Sequence, residues 1–403
     1  MKKIAIIGAG PAGIYSALLL KKFSGEIHIF EQNKNLGEKL KITGGGRMNV
    51  TNKEFSNQHF SSSAPNILKN IFKSPWIKKR EEILKELGIS YKWENNRALL
   101  SSESAIKEVK RLGGLLEKQK NCIIQNLSTV NSIQKKDSGF SLEYINNDRS
   151  FLDTFSHVII ASGAMFRLFD MQNTGNKDGI YRLITELNHS ITTVSPSLTA
   201  FEIEDNPFLS LAGLSLSVSI WESKPSQFMN GDLLFTHKGL SGPVILDFSS
   251  LLQKDSAFIS FLPSSTLEVF KKEIQDPINN KLTLSSFLQK YFPKRFTFFL
   301  LEISDITNTE RIAELSKKKL QNILNTIFQY PINNLKKGNY THAWTTQGGV
   351  DLKEIIAHRF ESKIYPQLFF AGEVLDINGL CGGYNISFCA ISAKIISEAI
   401  LEK

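Results

Sequence analysis

The residues best suited to chemistry fall in four clusters, and each is a place where a phosphate or a sugar hydroxyl can meet backbone. The first is GAGPAG, Gly8–Gly13. Gly8 permits a tight turn, Gly10 lets backbone approach a pyrophosphate, and Gly13 lets a following helix pack closely on a sheet. Pro11 and Ala12 lie in the turn before that helix, whose unpaired N–H groups direct partial positive charge at an anion. About 20 residues on, Glu31, followed by Gln32, supplies the acid that accepts hydrogen bonds from an adenosine ribose and disfavours a 2′-phosphate. The second cluster, KITGGGRMN, places Lys41, Thr43, Gly44, Gly45 and Gly46 beside Arg47 and Asn49, a nest of consecutive N–H groups next to a cation. The third, Ala161-Ser162-Gly163, ends an apolar strand in residues small enough for the chain to pass close to a dinucleotide. In the fourth, Gly372, Glu373 and Asp376 offer carboxylates to sugar hydroxyls, and Gly382, Gly383, Tyr384 and Asn385 precede a last helix.

These clusters need elements to hold them. KIAII at Lys3–Ile7 reads as a buried parallel strand, IYSALLLKK as an apolar helix, and EIHIFE as a second strand ending in Glu31. Strand, G-x-G-x-x-G, helix, strand, acid is the full context of an adenine-dinucleotide site. The fingerprint serves NAD and FAD alike, so the later clusters arbitrate. A flavin needs contacts along its ribitol and ring from several chain regions. The final helix would aim its N–H groups at the pyrimidine end, where negative charge develops on reduction. A nicotinamide has no need of that distant closing element, and tightly bound FAD is the expected cofactor.

At 403 residues the chain exceeds what one core usually organises, so two or three domains are expected. A composition of 41% hydrophobic and 22% charged residues is that of a globular protein and excludes a disordered one. The net charge of +9 suits nucleic acid or an anionic membrane, but the lysines are scattered and no RNA- or DNA-binding motif accompanies them. A nucleic-acid partner is therefore not expected, and a small-molecule substrate is. Cys122, Cys381 and Cys389 form no CxxC and no metal spacing, which fits a reducing cytoplasm and no metal. Lys2-Lys3 and the apolar run behind them mimic a secretory signal, but Gly8, Gly10, Pro11 and Gly13 interrupt it. No other segment approaches the roughly 20 uninterrupted apolar residues that span a bilayer.

The chain resembles the FAD-dependent oxidoreductases of the YhiN/BaiN type, within the glutathione-reductase-like flavoproteins. The stretches that carry the resemblance run in family order. They are GAGPAG, GEKLKITGGGRMNVTN, the ASGA strand end, NTGNKDGIYRLITELNH at Asn173–His189, GDLLFTHKGLSGPVILDFS at Gly231–Ser249, TTQGGVDLKEI at Thr345–Ile355 and RFESKIYPQLFFAGEVLDINGLCGGYN at Arg359–Asn385. Met48 stands where the family has a cysteine, so a thiol there is not essential to this protein, and Cys381 stands where it has a threonine. The resemblance implies an α/β, Rossmann-like FAD domain built from 1–192 and 347–403. It is interrupted by a small β-barrel-like domain, 193–262 with 336–346, and a helical subdomain, 263–335. The sequence agrees with it: LSLSVSIW and SAFISFL alternate as strands do, and TLEVFKKEI and RIAELSKKKLQNILNTIF have helical spacing.

The resemblance also implies the activity, an NAD(P)H-driven reduction in which hydride passes from flavin N5 to a small conjugated, enone-like substrate, and the parts fit it. No second strand-GxGxxG-helix is present, so NADH or NADPH would dock directly over the flavin. Substrate-side candidates are His237, in THKGLSGP, as proton donor, Arg47 as holder of an anionic substrate or a phosphate, and Tyr384 with Asn385 as donors to the flavin or a substrate carbonyl. Two other readings are a flavin-dependent tRNA-modifying enzyme, which the basic charge suits, and a flavoprotein whose FAD senses or stabilises without turnover.

Overall fold

The computed structural model describes residues 2–164, 179–222, 228–252 and 254–402; the start of the Asn173–His189 stretch, 173–178, lies outside them. The chain divides into two compact units, Met1–Ser195 with Thr345–Lys403, and Pro196–Trp344.

The first unit is built on β1 (Lys3–Ile7), α1 (Pro11–Leu19), β2 (Glu26–Glu31), α2 (Glu38–Ile42), β3 (Asn49–Asn52), α3 (Pro65–Ile71), α4 (Pro75–Lys78), β4 (Cys122–Asn126), β5 (His157–Ile160), β6 (Leu368–Phe370) and α5 (Tyr384–Leu401). Its main sheet runs Ile355–Ile356, Glu361–Ser362, β6, β5, β1, β2, β4. From β6 to β4 the pairing is parallel, with Ile4 beside Ile27 and His157, and Val158 beside Leu368. Ile4, Ala5, Ile6, Ile27 and Ile29 are fully buried, as a sheet covered on both faces requires. α5 packs along α1. It is apolar all round and long enough to cross a bilayer, but 72% of it is buried within the unit, so it is a core helix. An antiparallel meander, Ser128–Lys136, Gly139–Asn146 and Arg149–Phe155, crosses over between β4 and β5.

The turn after β1 shows why its glycines are glycines. Gly8 has φ +99°, and a Cβ there would lie 2.6 Å from the Cα of Ser162 at the end of β5; a Cβ on Gly13 would lie 1.9 Å from the Gly8 carbonyl oxygen. The helix can enter the sheet this closely only without side chains at both positions.

The second unit contains an antiparallel seven-stranded sheet in the order Tyr330–Ile332, Ala257–Ser260, Ser215–Trp221, Met229–Thr236, Gly239–Ser241, Phe201–Ile203, Leu335–Lys337. Its two edge strands are joined by only Asn333 and Asn334. Since a residue spans at most about 3.6 Å, the sheet must curl until its edges nearly meet. The helices of 267–328 share one apolar core with this sheet, Phe235, Phe261, Phe270, Phe287 and Phe296 among its members. Sheet and helices are therefore one folding unit, with no break at 262.

Candidate cofactor site

A cavity of about 750 Å³ opens at the carboxyl ends of β1, β2, β5 and β6, within the size range of small-molecule sites, and every residue lining it belongs to the first unit. Of the residues singled out from sequence, Gly8, Gly10, Pro11, Ala12, Glu31, Gln32, Ala161, Ser162, Gly163 and Glu373 line it. Gly13 lies one residue behind the wall. A Cβ on Gly10 would meet no protein atom within 4 Å, so the backbone at the start of α1 faces open space. Pro11 has no N–H to lose at the first helical position, and the N–H groups behind it are those a helix leaves without intrahelical partners.

Glu31 is only 7% exposed, and its carboxylate is held in place from two sides. Oε2 accepts from the Ala9 N–H at 2.8 Å, and Oε1 from the Asn33 N–H at 2.9 Å and the Asn33 side chain at 2.6 Å. A carboxylate has about four acceptor positions, so capacity for a ribose hydroxyl remains.

Sequence reasoning passed over Lys39 and Cys389, which also line the cavity. Lys39 pairs with Glu373 at 2.5 Å and so ties α2 to the segment after β6. Its position inside GEKLKITGGG was the signal that could have found it. Burial, reinforced by the nearby Glu373 charge, pushes the Cys389 thiol up, so it stays protonated and is a small apolar wall group.

The glycine nest and the closing loop form a second group. Gly44, Gly45 and Gly46 all have positive φ (57°, 64° and 85°), and Met48, at φ 47° and fully buried, anchors the nest in the core. Asn52 Nδ2 donates to the Gly382 carbonyl at 3.2 Å, and a Cβ on Gly383 would lie 2.7 Å from Asn49 Oδ1 and 2.8 Å from the Thr51 nitrogen. The closing loop is thus in contact with β3, the strand that follows the nest. Among the described residues, Asn49 Oδ1 is a buried acceptor without a hydrogen-bond partner.

Other predicted residues have protein partners. The Arg47 guanidinium is ion-paired to Glu94, which takes up the charge expected to meet an anion. Asp376 is 2% exposed, and its Oδ2 accepts from the Ser63 N–H at 2.8 Å, Ser63 Oγ at 2.5 Å and Ser62 Oγ at 3.3 Å, so this oxygen caps a turn. The Asn385 amide is used on both sides by Gly379, accepting from its N–H at 2.8 Å and donating to its carbonyl at 2.7 Å. The Tyr384 ring stacks on His59 at 4.8 Å and packs with Phe55 and Phe60. Lys41 pairs with Glu38 at 2.5 Å, and Thr43 Oγ1 donates to the Leu40 carbonyl at 2.7 Å. His237 is exposed on a hairpin turn of the second unit, where Asn206 Nδ2 donates to its carbonyl at 3.3 Å.

The donor set fits FAD. The start of α1 suits a pyrophosphate, Glu31 a ribose, Glu373 the ribitol, and the orphaned Asn49 acceptor together with the nest N–H groups suits the polar edge of a ring. Among the described residues, no group of three or more His, Cys, Asp or Glu is placed to hold a metal.

Comparison with known proteins agrees. The model of the HI0933-like protein Rossmann domain matches residues 2–399. A ribosomal RNA dihydrouridine synthase of Haemophilus influenzae is 30% identical over 400 residues, covering 98% of this chain and 97% of that protein. A 3-dehydro-bile acid Δ4,6-reductase of Clostridium scindens is 25% identical over 417 residues, covering both chains in full. The structure of a 3-ketosteroid-Δ4-(5α)-dehydrogenase of Rhodococcus jostii, in complex with 4-androstene-3,17-dione, shares the fold at a TM-score of 0.51 and 11% identity, covering 99% of this chain and 97% of that one.

Proposed function

Because the chain belongs to the HI0933-like Rossmann-domain family of flavin-dependent oxidoreductases, we propose that it reduces a carbon–carbon double bond conjugated to a carbonyl, with NADH or NADPH as electron source. The observation that carries this is the pairing of a dinucleotide cavity, with Glu31 fixed in its wall, and a separate double-glycine platform holding the unpartnered Asn49 acceptor. Bound FAD would accept two electrons from the nicotinamide and supply them as hydride. Glu31 would hold the ribose, the first turn of α1 the pyrophosphate, and Lys39 would exchange its Glu373 partner for phosphate. The N–H groups of Gly44, Gly45 and Gly46 and the start of α5 would face the ring. Reduction adds hydride to the substrate's β-carbon and a proton, from an acid or from water, to its α-carbon, and the enolate oxygen needs a hydrogen-bond donor.

A small enone, as the bile acid reductase takes by its name, is one substrate class. The uracil ring of an RNA is another, because its C5=C6 bond is conjugated to the C4 carbonyl and reduction there gives dihydrouridine. Two observations favour this second reading. The full-length match to a ribosomal RNA dihydrouridine synthase has the higher identity. The basic charge is also unevenly placed, with 33 cationic against 25 acidic residues in the first unit and 15 against 14 in the second.

The test is an anaerobic visible spectrum of the purified yellow protein. Expected is bleaching within seconds by one nicotinamide, then return of the colour on adding either a conjugated ketone or a uridine-containing RNA. A flavin that neither nicotinamide bleaches would overturn the reductase reading.

A further inference from the structure

Resting on the uridine reading, we propose that the ridge made by α3, α4 and the turn between them is the seat of the phosphate backbone of a structured RNA. Residues 65–80, PNILKNIFKSPWIKKR, hold five cations and no acid. Lys69, Lys73, Lys78 and Lys79 are all exposed, and among the described residues none has a carboxylate partner. Lys73 reaches only the Asn70 amide at 3.0 Å, and Lys79 lies over the Trp76 ring at 5.9 Å. Lys39, Lys41, Lys92 and Lys394, elsewhere in the first unit, each have a carboxylate partner; what sets the ridge apart is four cations without one, close together and with no acid between them. Four uncompensated charges within eleven residues repel one another, a cost that a polyanion offsets.

The ridge is tied to the cofactor loops by Arg80, which is half-buried. Its Nε donates to Thr51 Oγ1 at 3.2 Å, and its Nη2 to the Asn52 and Lys53 carbonyls at 2.8 and 3.1 Å. β3 is the strand that begins at Asn49 and holds Gly382, so an RNA on the ridge lies beside the place proposed for the flavin ring.

The chemistry selects phosphate over lipid. The ridge's aliphatic residues Leu68, Ile71 and Ile77 are 3%, 1% and 5% exposed and face the core. Its Trp76 donates Nε1–H to Glu398 at 2.7 Å, which fixes the indole against the protein. Ile67 and Phe72 are half-buried and packed against the same core, so little apolar surface is left to enter a bilayer. A second basic hollow, lined by Lys2, Lys3 and Lys136, lies at the opposite, amino end of β1, and its Lys3 is 3.5 Å from Glu26.

The test compares three forms of the FAD-loaded protein: wild type, K69Q/K73Q/K78Q/K79Q, and K2Q/K3Q/K136Q as control. Each is titrated with a fluorescent, uridine-containing RNA stem-loop over a salt series, and flavin content reports folding. Expected is at least a tenfold loss of affinity in the ridge variant alone, with the slope of log affinity against log salt shallower by about 3, since each lost phosphate contact removes about 0.7. Wild-type protein that binds no RNA, or that binds phosphatidylserine vesicles in its place, overturns the uridine reading together with the surface. RNA binding that the ridge variant keeps, or that the control loses equally, overturns the surface and leaves the uridine reading standing.

Discussion

At the scale of single residues, hydrogen bonds decide which groups are available for chemistry. His189 is 2% exposed, with Nδ1 3.1 Å from Glu354 Oε2 and Nε2 2.9 Å from Ser362 Oγ. Ser362 Oγ already accepts from the Ile364 and Tyr365 N–H groups, so its own proton goes to Nε2 and the ring is the neutral Nδ1–H tautomer. Burial holds the imidazole below its usual value against the pull of Glu354. Glu354 is also lowered: burial would raise it, and the Ser190 and His189 hydrogen bonds outweigh that. A base depressed by folding binds its proton more readily unfolded, so stability is full above about pH 6.5 and falls below it, and Glu354 adds a second loss of the same sign below its usual 4.5. His189→Gln should flatten the fall in melting temperature between pH 7 and 5; an unchanged slope would place the acid sensitivity elsewhere. Gly45 makes a contrasting case, because a Cβ there would meet no protein atom within 4 Å. Gly45→Val costs about 1–2 kcal/mol for its left-handed backbone, whereas asparagine tolerates that conformation. Both variants should purify without flavin, and a folded Gly45→Asn with full FAD occupancy would remove the nest from the site.

At the scale of elements, the meeting of α1, α5 and the segment after β6 depends on Gly372. It has φ +72°, and a Cβ would lie 2.9 Å from both Ala12 Cβ and Cys389 Sγ. Gly372→Ala should destabilise by about 3 kcal/mol, the sum of left-handed strain and overpacking; a urea midpoint that barely moves would show that the helices separate freely. This junction also marks what the sequence made legible. Strand, turn, helix and acid could be read from Lys3 to Glu31 because each step is local: periodicity, a glycine turn, a helix start. Glu31 as the cavity acid followed from spacing alone. The partners of Arg47, Asp376 and Lys39 did not follow, since Glu94, Ser62 with Ser63, and Glu373 lie 47, about 313 and 334 residues away. Only the folded chain brings such pairs together, so the side chains of Arg47, Asp376 and Glu373 looked free for ligand when read in sequence. The same holds for Asn385, whose local pattern suggested a ligand donor and whose amide instead closes its own loop onto Gly379.

At the scale of the whole molecule, two apolar cores and a cavity confined to one of them make a thermodynamic prediction. Calorimetry of FAD-stripped protein should resolve two transitions, and FAD at 1,000 times its dissociation constant should strengthen one of them by about 4 kcal/mol; a single transition that FAD shifts as a whole would mean that the units unfold together. The first unit is also discontinuous, and that has a consequence for how the protein is made. β6 and α5, which complete the sheet and cover α1, come after residue 367. At 5–20 residues per second a ribosome needs roughly 20–70 s to go from the end of α1 to the start of α5. Throughout that interval the nascent amino-terminal half exposes the apolar flank that α5 will cover, while the inserted unit can already fold. The cavity wall itself is completed only when Glu373 and Cys389 arrive, so the waiting half-domain is the stage at which chaperones would have most to protect.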